Sequence, residues 1–190
     1  MAGSVDPLTA LRPLAADDAP ALSRFLAALP EGDRTFFKEG DDPATVEYWC
    51  RHDRATRWVV EGDSGQFRAY LAIIPGVGWS SHVGELRLVV AADSRRLGLG
   101  GALARRGLLE AVRQGLAKIV VEVVSDKQGD LEMFTSIGFE AEALLKNHIR
   151  DRRGGTRDLV ILSHDVDEVR ASLHALGIDE ATGVDLGQAG

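Results

Sequence analysis

Residues 8–14 alternate apolar and polar, then give way at Asp17 and Asp18 to a stretch, 19–29, whose apolar side chains recur at helical spacing. The pattern predicts a strand and then a helix, with the aspartates at the helix start. Pro30 and Gly32 break that period, and residues 34–39 and 43–54 read as further helical pieces around Phe36, Phe37, Tyr48 and Trp49. Residues 57–61 and 67–74 are β-rich runs on either side of Gly62-Asp63-Ser64-Gly65, which has the length and composition of a hairpin turn. These two strands are expected to pair antiparallel.

Gly76 and Gly78 lead into a Val- and Leu-rich strand, 83–90, followed by a loop over 91–97 and a helix over 99–115. Residues 118–124 form a nearly continuous β-branched run, the pattern of a strand covered on both faces. A helix over 129–137 ends at Gly138-Phe139, and strands over 141–152 and 156–163 flank the turn Arg153-Gly154-Gly155. A last short helix is expected over 165–176, with a small, polar, frayed remainder. The order of elements predicts an α/β protein of the α+β type: a mixed, mostly antiparallel twisted sheet of about six or seven strands flanked by helices. Residues 1–165 are expected to form one domain, and residues 166–190 a short helix and flexible tail.

Composition narrows the function. A chain of 190 residues, 45% of them hydrophobic, can bury a continuous core without disulfides or a structural metal. A net charge of -7 gives no global positive field for nucleic acid phosphates or anionic lipid, so neither a nucleic acid nor a membrane is an expected partner. Cys50 is the single cysteine, which excludes an intramolecular disulfide. His52, His82, His164 and His174 lack metal-ligand spacing, and no metal is expected. Ser80-Ser81-His82 lies outside any GxSxG elbow, so a serine triad is rejected. The opening residues lack a basic region followed by an apolar core, and no apolar run is long enough to span a bilayer, so a cytoplasmic location is expected.

The segment Arg95-Arg96-Leu97-Gly98-Leu99-Gly100-Gly101-Ala102 follows a predicted strand and opens a predicted helix. Unpaired backbone N–H groups and the helix dipole at such a place bind phosphate, and glycines let the backbone come close. A P-loop would need Lys-Ser/Thr where this chain has Ala102-Leu103, and a dinucleotide fingerprint would open the first βαβ unit rather than lie mid-chain.

The loop resembles the R/Q-x-x-G-x-G/A acyl-CoA pyrophosphate loop of the GNAT superfamily, with Arg95, Gly98 and Gly100 at the matching positions. Residues 133–139, MFTSIGF, look like the superfamily's LYEKxGF segment, and LRPLAADDAPAL at 11–22 is similar to its first strand and helix. The likeness spans residues 8–163. It implies an N-acetyltransferase that moves an acetyl or longer acyl group from acetyl-CoA to a primary amine of a small molecule, amino acid or protein by direct attack. The implied donor site is Leu88, Val89 and Val90 along the pantetheine arm, Arg95, Arg96, Leu97, Gly98, Leu99, Gly100, Gly101 and Ala102 around the pyrophosphate, and Phe134 beside the thioester. A bulge splaying the strand near Val90 is also implied, with its amide polarising the thioester carbonyl.

Glu85 matches in placement a glutamate that serves as general base in some members. Glu122, on the next strand, is the alternative base and Asp126 a third, since strand alternation alone does not say which faces the cleft. Phe134 stands where a tyrosine acid often occurs and has no ionisable group, and the usual asparagine is replaced in the neighbourhood of Asp126, Lys127 and Gln128. His148 lies on the late strand that often lines the acceptor side. Two other classes stay open: a catalytically silent acyl-CoA-binding regulatory domain, and an interaction module, or homodimer, built on residues 165–190.

Overall fold

A computed structural model describes residues 8, 10–34, 42–52, 54–151, 154–176 and 178. Phe36 and Phe37, the turn residue Arg153, and nearly all of the expected tail lie outside them.

Seven strands form one sheet: β1 (Leu11–Pro13), β2 (Thr56–Glu61), β3 (Phe67–Pro75), β4 (Val83–Val90), β5 (Lys118–Val124), β6 (Glu140–Arg150) and β7 (Thr156–Asp165). Their order is β1-β2-β3-β4-β5-β7-β6. Every neighbouring pair is antiparallel except β4 and β5. A parallel pair needs a crossover, and α4 (Leu99–Arg113) supplies it.

The helices divide between the two faces. Leu86, Leu88 and Val90 of β4 share a core with Leu99, Leu103, Ala104 and Leu108 of α4, Phe134 of α5 (Gln128–Thr135) and Val166 of α6 (Val166–Ala175). Val59, Tyr70, Ala72 and Val89 share the second core with Leu22, Phe25 and Leu26 of α1 (Ala19–Ala28) and Val46 and Trp49 of α3 (Pro43–Arg51). A four-residue helix, α2 (Glu31–Arg34), lies between α1 and α3. Period-two alternation along β4 therefore turns Glu85 and Arg87 toward the α1 and α3 side.

The crossover helix lies hard against the sheet. A Cβ added to Gly107 would come within 2.5 Å of Leu86 Cδ1, so the missing side chain lets α4 settle over β4 and fixes where its N-terminus falls. On β5 the prediction of two covered faces is met fully on one: Ile119, Val121 and Val123 are buried, while the other face is mixed, with Val124 buried and Glu122 exposed.

One ion-pair group ties β1 to the start of α1. Arg12 donates to Asp18 at 2.7 and 2.9 Å and to Glu61 at 2.7 Å, and Asp18 also accepts from the Ala15 amide at 2.7 Å. The Arg12 guanidinium holds the Asp18 carboxyl below the usual carboxylate value against the opposing effect of burial. A depressed carboxyl adds stability above its unfolded value of 3.8 and loses it as pH falls through the lower folded value. Asp18→Asn is accordingly expected to cost about 2 kcal/mol at neutral pH. In urea melts at stepped pH, the gap to wild type should close as pH drops below the ordinary carboxylate range.

Candidate active site

The parallel ladder between β4 and β5 is short. It runs Val83↔Lys118, Gly84↔Ile119 and Glu85↔Val120, and then the strands part. The antiparallel register between β3 and β4 continues unbroken from Pro75↔Gly84 to Ala69↔Val90. The bulge expected near Val90 is therefore not what separates the strands; β5 diverges from a regular β4. On the side away from β3, residues 86–90 face the resulting V-shaped cleft rather than β5.

Beyond Val90 the chain makes a short turn over Ala92–Ser94 and enters the glycine loop. Gly98 has φ +79, a conformation that disfavours any side chain, and it starts α4. Arg96 also has positive φ, at 60. The first bond of α4 runs from the Ala102 N–H to the Gly98 carbonyl at 3.1 Å, so the N–H groups of 98–101 precede the helical ladder. They and the helix dipole form a cradle at the open end of the cleft. The Ala102 amide itself is spent on the helix.

Protein packing does not explain the other two glycines. A Cβ on Gly100 would meet only Met133 Cε, at 4.0 Å, and one on Gly101 only Arg105 Nη1, at 3.6 Å. Both contacts are ordinary, so the cradle is kept bare toward the outside. That suits a phosphate-bearing ligand brought to van der Waals distance of the backbone.

Not every predicted donor residue turns to the cleft in the same way. Arg95 donates through Nε to the Val90 carbonyl at 3.0 Å and also to Asp33 of α2. Leu97 is 62% exposed beside the cradle, whereas Leu99 is buried in the core. Phe134 is only 6% exposed and packs edge-on to Phe139 at 5.2 Å, so its ring serves mainly the core.

Glu85 lies at the apex, in the last rung before the strands part. Its carboxylate accepts a fork from Arg87, at 2.8 Å from Nε and 3.2 Å from Nη2. Glu122 projects from the same face, because Val120 is paired with Glu85 and Glu122 follows it by two. Alternation along β4 could have singled out Arg87 beside Glu85. Asp126 pairs instead with Arg157 at 3.6 Å, and His148 is exposed on the outer strand β6.

On the α4 side the apex is filled by Leu86, Leu103, Ala104 and Phe134. Among the described residues, the polar side chains nearest the apex, Glu85, Arg87 and Glu122, lie on the opposite face. Deeper on that face Arg57 is buried, donates to the Tyr70 hydroxyl and sits 4.6 Å over the Trp49 ring. Trp49 stacks on Tyr70, as a packing role requires, while Tyr48 is exposed. Among the described residues no group of His, Cys, Asp or Glu could hold a metal, and no helix is long and apolar enough to cross a membrane.

Comparison with known proteins places the family and the fold. The acetyltransferase (GNAT) family profile matches residues 24–139. No curated protein sequence matches the chain. Among solved structures, an acetyltransferase of the GNAT family from Streptococcus pneumoniae superposes with TM-score 0.70 at 17% identity, over 82% of this chain and 98% of that one. A ribosomal-protein-alanine N-acetyltransferase from Brucella melitensis gives 0.69 at 21% identity, over 82% and 98%. A spermidine/spermine N-acetyltransferase from Vibrio cholerae gives 0.69 at 16% identity, over 85% and 95%. At these identities the likeness establishes a shared fold.

Proposed function

The chain belongs to the GNAT acetyltransferase family, and from that premise we propose that it is an N-acetyltransferase that uses acetyl-CoA to acetylate a primary amine. The observation that carries the reading is the junction of two features: a sheet that opens after Glu85↔Val120, and a bare glycine cradle at the mouth of the opening. We assign this activity to residues 1–165. The lone thiol of Cys50 supports a cytoplasmic setting.

Acetyl-CoA, when bound, supplies an acyl group already activated as a thioester. The N–H groups at the start of α4 hold its pyrophosphate, with Arg96 and Leu97 beside them. The cleft-side edge of β4 over Leu88, Val89 and Val90, with the Val90 carbonyl held by Arg95, offers a strand edge along which the pantetheine arm would lie. Its thioester then reaches the apex beside Glu85. A protonated amine arriving from the α1 and α3 side meets two carboxylates, Glu85 at the apex and Glu122 two residues further along β5. Glu85 removes the ammonium proton, directly or through water, so that the nitrogen lone pair can attack. Phe134 donates no proton; after attack the nitrogen loses its second proton through water to the departing thiolate, a modest base, which leaves as the CoA thiol.

A thiol-release assay with acetyl-CoA against amino acids, polyamines, aminoglycosides and lysine peptides tests the reading. Turnover with at least one amine is expected. Saturating CoA, at a hundred times its Kd, should add about 2.7 kcal/mol of stability and raise Tm by several degrees. No turnover together with no thermal shift would refute the assignment.

A further inference from the structure

Three segments far apart in the chain meet at the mouth of the cleft. Arg95 stands just after β4, Lys127 just after β5, and Asp33 comes from α2 between the helices of the opposite layer. Lys127 Nζ donates to Asp33 Oδ1 at 3.0 Å, and Arg95 donates to the other carboxylate oxygen. The carboxylate is largely shielded, with its side chain 16% exposed, whereas Arg95 and Lys127 keep 38% and 35%. Burial works to raise the Asp33 carboxyl, but the two hydrogen bonds prevail and hold it below its ordinary value. The group is an anion at neutral pH.

The two cations sit on opposite lips of the V, and Asp33 spans them. A ligand arm that runs from the cradle of residues 98–101 to the apex at Glu85 has to pass between those lips. A carboxylate bridging them lies in its way, and it bonds to them as a phosphate oxygen would: two charge-assisted N–H donors on two oxygens. We propose that Arg95 and Lys127 form one anion site at the mouth of the cleft, that Asp33 occupies it in the empty protein, and that a phosphate of the acyl donor takes the place of the carboxylate. Lys127 is then a donor-binding residue, and Asp33 an internal competitor that releases α2 when the donor binds. The exchange swaps one anion for another, so no unpaired charge is left beneath the ligand.

The inference rests on the donor site described above, and calorimetric titration of CoA into the full chain separates the two. Four proteins are compared: wild type, Asp33→Asn, Lys127→Gln and the double variant. Removing the competing carboxylate should tighten CoA binding about fivefold in Asp33→Asn, and losing a half-exposed cation should weaken it about fivefold in Lys127→Gln. In the Lys127→Gln background the gain from Asp33→Asn should shrink, because the carboxylate then holds one cation fewer. Wild type that binds CoA while Asp33→Asn binds it equally or more weakly would make Asp33 a structural strut and overturn this inference alone. A gain that is the same in both backgrounds would overturn the Lys127 site. No binding by any of the four would remove the donor site and this inference with it.

Discussion

Gly100→Glu is expected to abolish CoA binding, by a factor of about one hundred or more, while leaving the fold intact. The two halves of the result have separate causes. Gly100 has no left-handed backbone to lose, and its Cβ would meet nothing nearer than Met133 Cε at 4.0 Å, so the protein can accept a side chain. Glycine is also a poor helix former, and a carboxylate in the first turn of α4 interacts favourably with the helix dipole. Tm should therefore hold or rise slightly. The same carboxylate sits over the N–H groups of 98–101 and competes with, and repels, the anion they are arranged to take. Gly98→Glu would be a less informative variant, because φ +79 at that position adds backbone strain to any loss of binding. CoA titration beside a thermal melt of the Gly100 variant checks both halves. Unchanged CoA affinity would detach the donor from this loop.

Much of this architecture is local in origin and therefore legible along the chain. The β2–β3 hairpin was announced by its Gly/Asp turn, the crossover helix by its apolar period, and the cradle by the glycines between them, because each depends on residues close in sequence. The parting of β4 and β5 is different. It depends on how far two strands 35 residues apart remain in register, and the regular β3–β4 ladder shows that no irregularity in β4 marks the place. Asp33 and Lys127 are 94 positions apart and lie in segments whose own composition is unremarkable. Only the folded sheet brings them together. Phe134 shows the converse limit: the motif around it was visible, but a matching position does not say whether a ring faces a ligand or the core, and here it packs on Phe139.

Glu85→Gln should lower kcat about a hundredfold with little change in CoA affinity, the signature of a lost proton acceptor rather than a lost ligand contact. Glutamine keeps the shape of the side chain and one oxygen for the Arg87 fork, so local packing survives, but it cannot accept the ammonium proton. The position makes the prediction specific. Glu85 is in the last β4–β5 rung, at the apex, while Glu122 is two residues beyond that rung on a diverging strand and is exposed. Glu122→Gln should therefore change kcat by no more than about threefold, as loss of a general electrostatic contribution would. The fork from Arg87 adds a second reason for the asymmetry: it fixes the Glu85 carboxylate in one orientation at the apex. If Glu122→Gln shows the hundredfold loss and Glu85→Gln does not, the base lies on β5, and the Glu85–Arg87 pair serves to shape the acceptor face.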